Sequence, residues 1–385
     1  MRDLPSILAT ARELASGPIR KNAARTDGEA RWPEENLRAL QAAGLAGLVV
    51  PASHGGHGHG LVALAQVCEA LGRECASTAI SFGMHCVGTA VIASKATPYQ
   101  ARTYLEPIAA GRHLTTLALS EPGSGAHFYY PSVRLAADDG AGFRATGSKV
   151  FVTNGGRADS YVVSTVAAAP DAPPGHFSCV LVARDAPGVS WGAPWAGFGM
   201  RGNSSTSMEL RDVAVSHDDL LGAEGDQIWF VFEVVAPYFL MSMSGTYLGL
   251  AAAALDEARA HLERRTYQHS GSSLAEVAVL QHRLGALWAK VERTRRLVYW
   301  AAAEGDTRGP SALPAVCSAK AEVADCVVDV ANEAMTLCGG VAYRDDARLA
   351  QILRDARAAH VMAPTTDLLR TWAGRALLGQ PLLGI

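Results

Sequence analysis

The sequence has no block of basic residues, no paired Cys-x-x-Cys and no internal repeat or low-complexity tract. Lys and Arg number 34 against 37 Asp and Glu, a formal net charge of −3 with only 18% charged residues. That balance offers no footprint for neutralising phosphates, so a nucleic-acid partner is not expected. Seven cysteines (Cys68, Cys75, Cys86, Cys179, Cys317, Cys326 and Cys338) are odd in number and widely spread. They read as buried reduced thiols. The amino end, Met1-Arg2-Asp3-Leu4-Pro5, lacks the cationic stub and apolar core of a signal peptide and reads as an amphipathic helix, which predicts a cytoplasmic protein. Residues 234–255 lack charge and are long enough to span a bilayer. Pro237, Ser242, Ser244, Gly245 and Thr246 interrupt that stretch, however, and it runs into Asp256, Glu257 and Arg259, so a buried bundle helix is expected and no membrane.

What the chain does have is apolar material. Its 385 residues are 49% hydrophobic, enough for two or three domains. Residues 1–112 show helical spacing, with Trp32-Pro33 ahead of Glu34-Glu35 at a helix start. Residues 113–224 change to short β-type runs at 114–119, 150–153, 161–166, 179–182 and 207–215, with turns at 138–140 and 172–175. From 225 to 385 the pattern is helical again. There Val277, Leu280, Leu284, Leu287, Val291, Thr294 and Val298 form one stripe of a bundle helix. The expected fold is α+β: a helical domain, a middle β-domain and a C-terminal helical bundle.

Four motifs sit at the junctions of these thirds: Ala118-Leu-Ser-Glu-Pro-Gly-Ser-Gly125, Lys149-Val-Phe-Val-Thr-Asn-Gly155, Gly199-Met-Arg-Gly-Asn203 and Arg354-Asp-Ala-Arg357. In order and spacing they resemble the acyl-CoA dehydrogenase superfamily, and the loop 51–58 and Cys338-Gly339-Gly340 are similar too. The resemblance covers nearly the whole chain and implies FAD. Glycines let backbone approach a flavin closely, and N–H groups with Ser or Thr hydroxyls bond its ring edge. By match to the family, Leu117, Ser120, Gly125, Ala126, Phe151, Val152 and Thr153 would line the isoalloxazine, with Ser120 also a catalytic candidate. Thr365 and Asp367 would join the cofactor site. Glu263-Arg264-Arg265-Thr266-Tyr267 resembles the segment through which the family reaches a neighbouring subunit's FAD, so Arg264 and Tyr267 imply a homodimer or homotetramer, and Thr336 and Gly340 are further cofactor-binding candidates by the same match. A solvated helix end is the plainer reading of that segment. Thr336 stands where the family usually has glutamine.

The resemblance also marks an absence. The family's carboxylate base, which takes the proton alpha to the thioester, falls on Ala363, and the alternative site on an earlier helix falls on Phe239 and Leu240. None of these takes a proton. The superfamily includes monooxygenases served by a separate flavin reductase, some of which use histidines near the flavin. His85 and His360 are the catalytic candidates on that reading, each with a satisfied core histidine as its alternative. His127-Phe128-Tyr129-Tyr130 replaces a more polar segment and suggests an aromatic wall, or a plain surface loop. His54, His57 and His59, interleaved with glycine and without an acidic or cysteine partner, read as a loop and not a metal site. The favoured function is a reduced-flavin monooxygenase of a small aromatic or heteroaromatic substrate, indole- or phenol-like. The alternatives are an acyl-CoA or acyl-carrier-protein dehydrogenase with a relocated base, and a non-catalytic flavoprotein subunit.

Overall fold

The computed structural model describes residues 2–138, 140, 142–169, 172–173 and 175–383. The two predicted turns at 138–140 and 172–175 therefore include residues 139 and 174, which lie outside the described residues. Chain entry follows capping chemistry. Helix α1 (Leu4–Leu14) starts at Asp3, whose carboxylate accepts the Ser6 N–H, with Pro5 in the first turn. A π-helical turn, Ala15–Ile19, leads into α2 (Arg20–Gly28). Helix α3 (Glu34–Ala42) begins after Pro33 with Glu34 and Glu35 against its positive end. Helix α4 (Leu61–Gly72) takes its cap from far along the chain, because Asp306 accepts the N–H groups of Leu61 at 2.6 Å and Val62 at 3.0 Å. Helix α5 (Ala76–Ser94) is buried at every residue from Ala76 to Ile92.

The middle domain holds two four-stranded sheets. In the first, β1 (Thr115–Ala118), β4 (Ser160–Val166), β5 (Phe177–Ala183) and β8 (Leu220–Leu221) stand in the order β1-β4-β5-β8. The second is ordered β2-β3-β7-β6 from β2 (Arg134–Asp138), β3 (Gly142–Val152), β7 (Thr206–Val215) and β6 (Val189–Trp191). β1 pairs in parallel with β4, and just beyond β1 the Ser120 carbonyl accepts the Val150 N–H of β3, which sets the start of the glycine loop beside the end of β3. β2 and the first half of β3 escape the sequence reading, since Arg134, Asp138, Arg144 and Lys149 dilute the apolar alternation.

The C-terminal third enters through a π-helical turn, Phe230–Val235, into α6 (Ala236–Arg264), followed by α7 (Ala278–Asp306), α8 (Ala312–Cys338), α9 (Arg348–Val361) and α10 (Thr366–Leu377). Helix α6 packs on α4 and α5 as well as on α7, α8 and α9, so N-terminal and C-terminal helices share one core. The uncharged stretch at 234–255 is thus the central helix of that core, buried almost continuously from Leu240 to Ala254. In α7 the stripe residues Leu287, Val291, Thr294 and Val298 face inward, with the Thr294 hydroxyl donating to its own helix at the Lys290 carbonyl. All seven cysteines are buried and free. Burial pushes the Cys68, Cys179 and Cys317 thiols up to about 12, which makes them packing residues.

Candidate active site

Two loops from the β-domain present the motif residues, and each is held by buried polar groups at its base. Beyond β1, Glu121 turns inward. Its carboxylate accepts the Val133 N–H at 3.2 Å, the Ser132 N–H at 2.7 Å and the Lys149 ammonium at 2.6 Å. Lys149 itself is fully buried and also donates to the Leu119 carbonyl and the Ser164 hydroxyl. Burial lowers the Lys149 pKa to about 8 while Glu121 draws it up, and the ammonium in turn holds the Glu121 carboxyl below its usual range against its own desolvation. With the base of the loop fixed, Gly123 and Gly125 stand at φ 84° and 53° with open space where a side chain would be. Among the described residues, no intrachain hydrogen bond uses the N–H of Gly125 or Ala126. The Ser120 carbonyl accepts the Val150 N–H at 2.9 Å, which ties this loop to the next one and leaves the Ser120 hydroxyl unbonded among those residues.

The second loop is anchored at both ends. Lys149 lies on one side, and Asn154 on the other is fully buried and bonds in four directions. It donates through Nδ2 to the Ser81 carbonyl, accepts from Trp32 Nε1 at 2.9 Å, donates its N–H to the Asn203 carbonyl and accepts from the Tyr161 hydroxyl. Between the anchors, Phe151 is held at φ 55° with its ring 68% exposed, edge-on to Trp195. A bulky residue in left-handed backbone with its ring in the open is a costly arrangement of the kind that concentrates at ligand sites. Val152 is buried, and Thr153 places its hydroxyl 3.4 Å from that of Ser205.

A third anchor comes from α9. Asp355 is buried and accepts the Met200 N–H at 2.6 Å, while Arg354 pairs with Asp27 of α2. A side chain on Gly199 would lie 2.2 Å from the Arg354 carbonyl. The Arg-Asp motif therefore clamps the 199–203 loop to the helical core. Burial lifts the Asp355 pKa to about 7, with Asp27 adding to the rise.

The predicted histidines do not meet here. His85 is fully buried in α5 with both ring nitrogens committed. Nδ1 accepts the Thr115 N–H at 3.2 Å, so Nε2 carries the proton and donates to the Ala46 carbonyl at 3.1 Å. Burial lowers its pKa to about 4. This neutral, saturated imidazole ties α5 to β1, which corrects its reading as a catalytic group. His360, at the end of α9, is bonded through Nε2 to Asp325 of α8 and through Nδ1 to Arg357, both at 2.9 Å. It belongs to a partly exposed ion cluster with Arg370. His57 and His59 hold the backbone of Arg2, and no group of metal-binding side chains occurs among the described residues.

Position 363 lies in the turn between α9 and α10. Met362 ahead of it accepts from the Tyr247 hydroxyl of α6 at 3.1 Å, and the Lys320 ammonium of α8 donates to Ala359 and Pro364 on either side. Thr365 stands at the N-cap position of α10 without a side-chain capping bond, and Asp367 is exposed in its first turn. Rings pack where the glycine loop runs on. Tyr129 lies 5.6 Å from Phe232 of the π-helical entry and 6.1 Å from Trp372 of α10, which is 5.7 Å from Phe232. The aromatic wall is therefore a packed junction of three elements. His127 bonds the Tyr129 hydroxyl at 2.8 Å through Nδ1. Arg264, Tyr267, Thr336 and Gly340 are exposed at the outer ends of α6 and α8. Arg264 Nε donates to the Ala260 carbonyl and the Thr336 hydroxyl to the Asn332 carbonyl, each within its own helix.

Three family models match consecutive parts of the chain: the acyl-CoA dehydrogenase N-terminal domain at residues 3–112, the middle domain at 116–213 and the C-terminal domain at 241–378. The chain belongs to the acyl-CoA dehydrogenase family. It is 29% identical over 370 residues to a probable acyl-CoA dehydrogenase, fadE25, of Mycobacterium leprae, covering 96% of this chain and 94% of that protein. Butyryl-CoA dehydrogenase from Megasphaera elsdenii superposes with a TM-score of 0.91 at 24% identity, covering 98% and 99% of the two chains. PigA, solved with FAD and proline, superposes at 0.88 with 19% identity over 98% of each chain, a likeness of fold alone.

Membership makes this acyl-CoA dehydrogenase relative a FAD-dependent oxidoreductase, and its residues fit the group. Open glycines at left-handed φ, free N–H donors at Gly125 and Ala126, and an exposed ring at Phe151 converge on the ends of β1 and β3. Donors of this kind bond the edge of a flavin ring, and the phenyl ring covers a face. Sequence reasoning named these displayed residues but missed the groups that hold them. Lys320 had a signal, as a lysine on the apolar stripe Val316, Val323 and Val327 of α8.

Proposed function

We propose that this flavoprotein is a reduced-flavin monooxygenase acting on a small cyclic or aromatic substrate. The observation that carries the reading is the identity of the side chains at the base positions, Ala363 in the turn and Phe239 and Leu240 in α6, with His85 and His360 bonded to other partners. A reaction that begins with removal of a weakly acidic C–H proton needs a positioned base, worth roughly a hundred- to ten-thousandfold in rate. FAD, when bound and reduced, would supply the electrons that activate oxygen. The chain's own groups would bind and orient. Ser120, Gly125, Ala126 and Thr153 hold the ring edge, Phe151 covers one face, and Phe128, Tyr129 and Trp372 exclude water where the glycine loop meets α10. The aromatic junction supports a compact substrate over a long acyl chain.

A separate reductase supplies reduced flavin on this reading, and a second copy of the chain brings Arg264 and Tyr267 to the cofactor. Purified protein given FAD, NADH and an unrelated flavin reductase should convert an indole- or phenol-like compound to a hydroxylated product. Oxygen consumption that yields hydrogen peroxide alone counts against the proposal. The names of the curated relatives favour a second reading, dehydrogenation of an acyl thioester. Anaerobic bleaching of bound FAD by butyryl-CoA would decide for it.

A further inference from the structure

Among the described residues two lysines are fully buried, Lys149 and Lys320. Lys149 has its carboxylate in Glu121 at 2.6 Å. Lys320 has none. Its ammonium donates to the Ala359 carbonyl at 2.7 Å and the Pro364 carbonyl at 3.2 Å, and among those residues it bonds no carboxylate. The Ala359 carbonyl lies in the last turn of α9, where it has no donor within the helix, so capping explains one of the two contacts. A neutral donor would cap it as well. Burying an ammonium costs several kcal/mol even after relaxation unless opposite charge compensates it, so the charge itself calls for a partner. The two carbonyls bracket Ala363, and Thr365, a cofactor-site residue by family match, follows at once. Tyr247 holds Met362 from α6, so the turn is gripped on two sides but charged from one.

We propose that Lys320 is a positioning residue of the active site that grips both ends of the Ala363 turn and lays an unpaired positive charge behind it, favouring the uptake of electrons, and hence of negative charge, by FAD bound there. Among the described residues its hydrogen bonds go to backbone carbonyls alone, and burial lowers the Lys320 pKa to about 8. The inference rests on the family's cofactor and not on the oxygenase reading, so a protein that hydroxylates nothing still tests it.

Two variants separate grip from charge. Lys320→Gln keeps N–H donors for the turn and removes the charge; Lys320→Met removes both. The FAD-loaded proteins are reduced in equilibrium with a reference dye at fixed pH, and amide exchange is followed across residues 359–365, with thermal melts to confirm folding. In both variants two-electron reduction of bound FAD should become at least tenfold less favourable, about 30 mV lower in potential. Only Lys320→Met should speed exchange in the turn. Either folded variant reducing at the wild-type potential would overturn the assignment of charge. Unchanged exchange in Lys320→Met would overturn the assignment of grip.

Discussion

Glu121 and Lys149 form a buried ion pair at 2.6 Å directly beneath the glycine loop, joining the chain after β1 to the strand that carries Phe151. The pair underlies both loops that carry the candidate flavin residues. Replacing Glu121 by Ala strands a buried ammonium, and breaking a buried pair from one side costs about 3–5 kcal/mol. Urea unfolding of Glu121→Ala should show a loss in that range together with weaker FAD retention. A variant with wild-type stability would mean that the ammonium finds another partner.

Asp355 makes stability depend on pH in an uncommon direction. Its folded pKa, about 7, lies above the ordinary carboxyl value, so between roughly pH 4 and pH 7 the folded chain binds a proton that the unfolded chain has released. This group's contribution is therefore full below about pH 4 and lost as pH rises through 7. Asp355→Asn keeps an acceptor for the Met200 N–H without the charge. Compared by melting temperature, wild type should gain on Asp355→Asn as pH is lowered from 8 to 5; a constant difference would be inconsistent with the assignment.

His85 works in the opposite sense. With its folded pKa near 4 against an ordinary 6.5, its contribution to stability is present above about pH 6.5 and lost as pH falls through 4. His85→Ala leaves the Thr115 N–H and the Ala46 carbonyl unpaired in the core and should cost about 1–3 kcal/mol for each group stranded. His360→Ala, at a partly exposed ion cluster, should cost under about 1 kcal/mol. If either substitution abolished turnover in a folded, FAD-loaded protein, the histidine would return to the reaction.

Trp372 is buried against Tyr129 and Phe232, so Trp372→Ala should cost about 3–5 kcal/mol. Because the rings share one contact, Tyr129→Ala and Trp372→Ala together should cost less than their sum by about 0.5–1.5 kcal/mol. Strict additivity in a double-mutant cycle would show that the rings do not act as one junction.

The sequence by itself determined the division into helical, β and helical thirds, because apolar spacing of two or of three and four residues reports local geometry directly. It also determined the family, since residue identity at a motif position does not depend on packing. The displayed residues Gly125 and Phe151 were legible for the same reason. Tertiary structure alone decided what polar residues do once buried. His85 and His360 look alike as letters, yet one is saturated between Thr115 and Ala46 and the other sits in a partly exposed ion cluster. Lys149 and Lys320 are both lysines within apolar patterns, but the fold gives a carboxylate to one and only carbonyls to the other. Those partners arrive from segments tens of residues away, and burial, which sets the worth of each charge, is a property of the packed molecule.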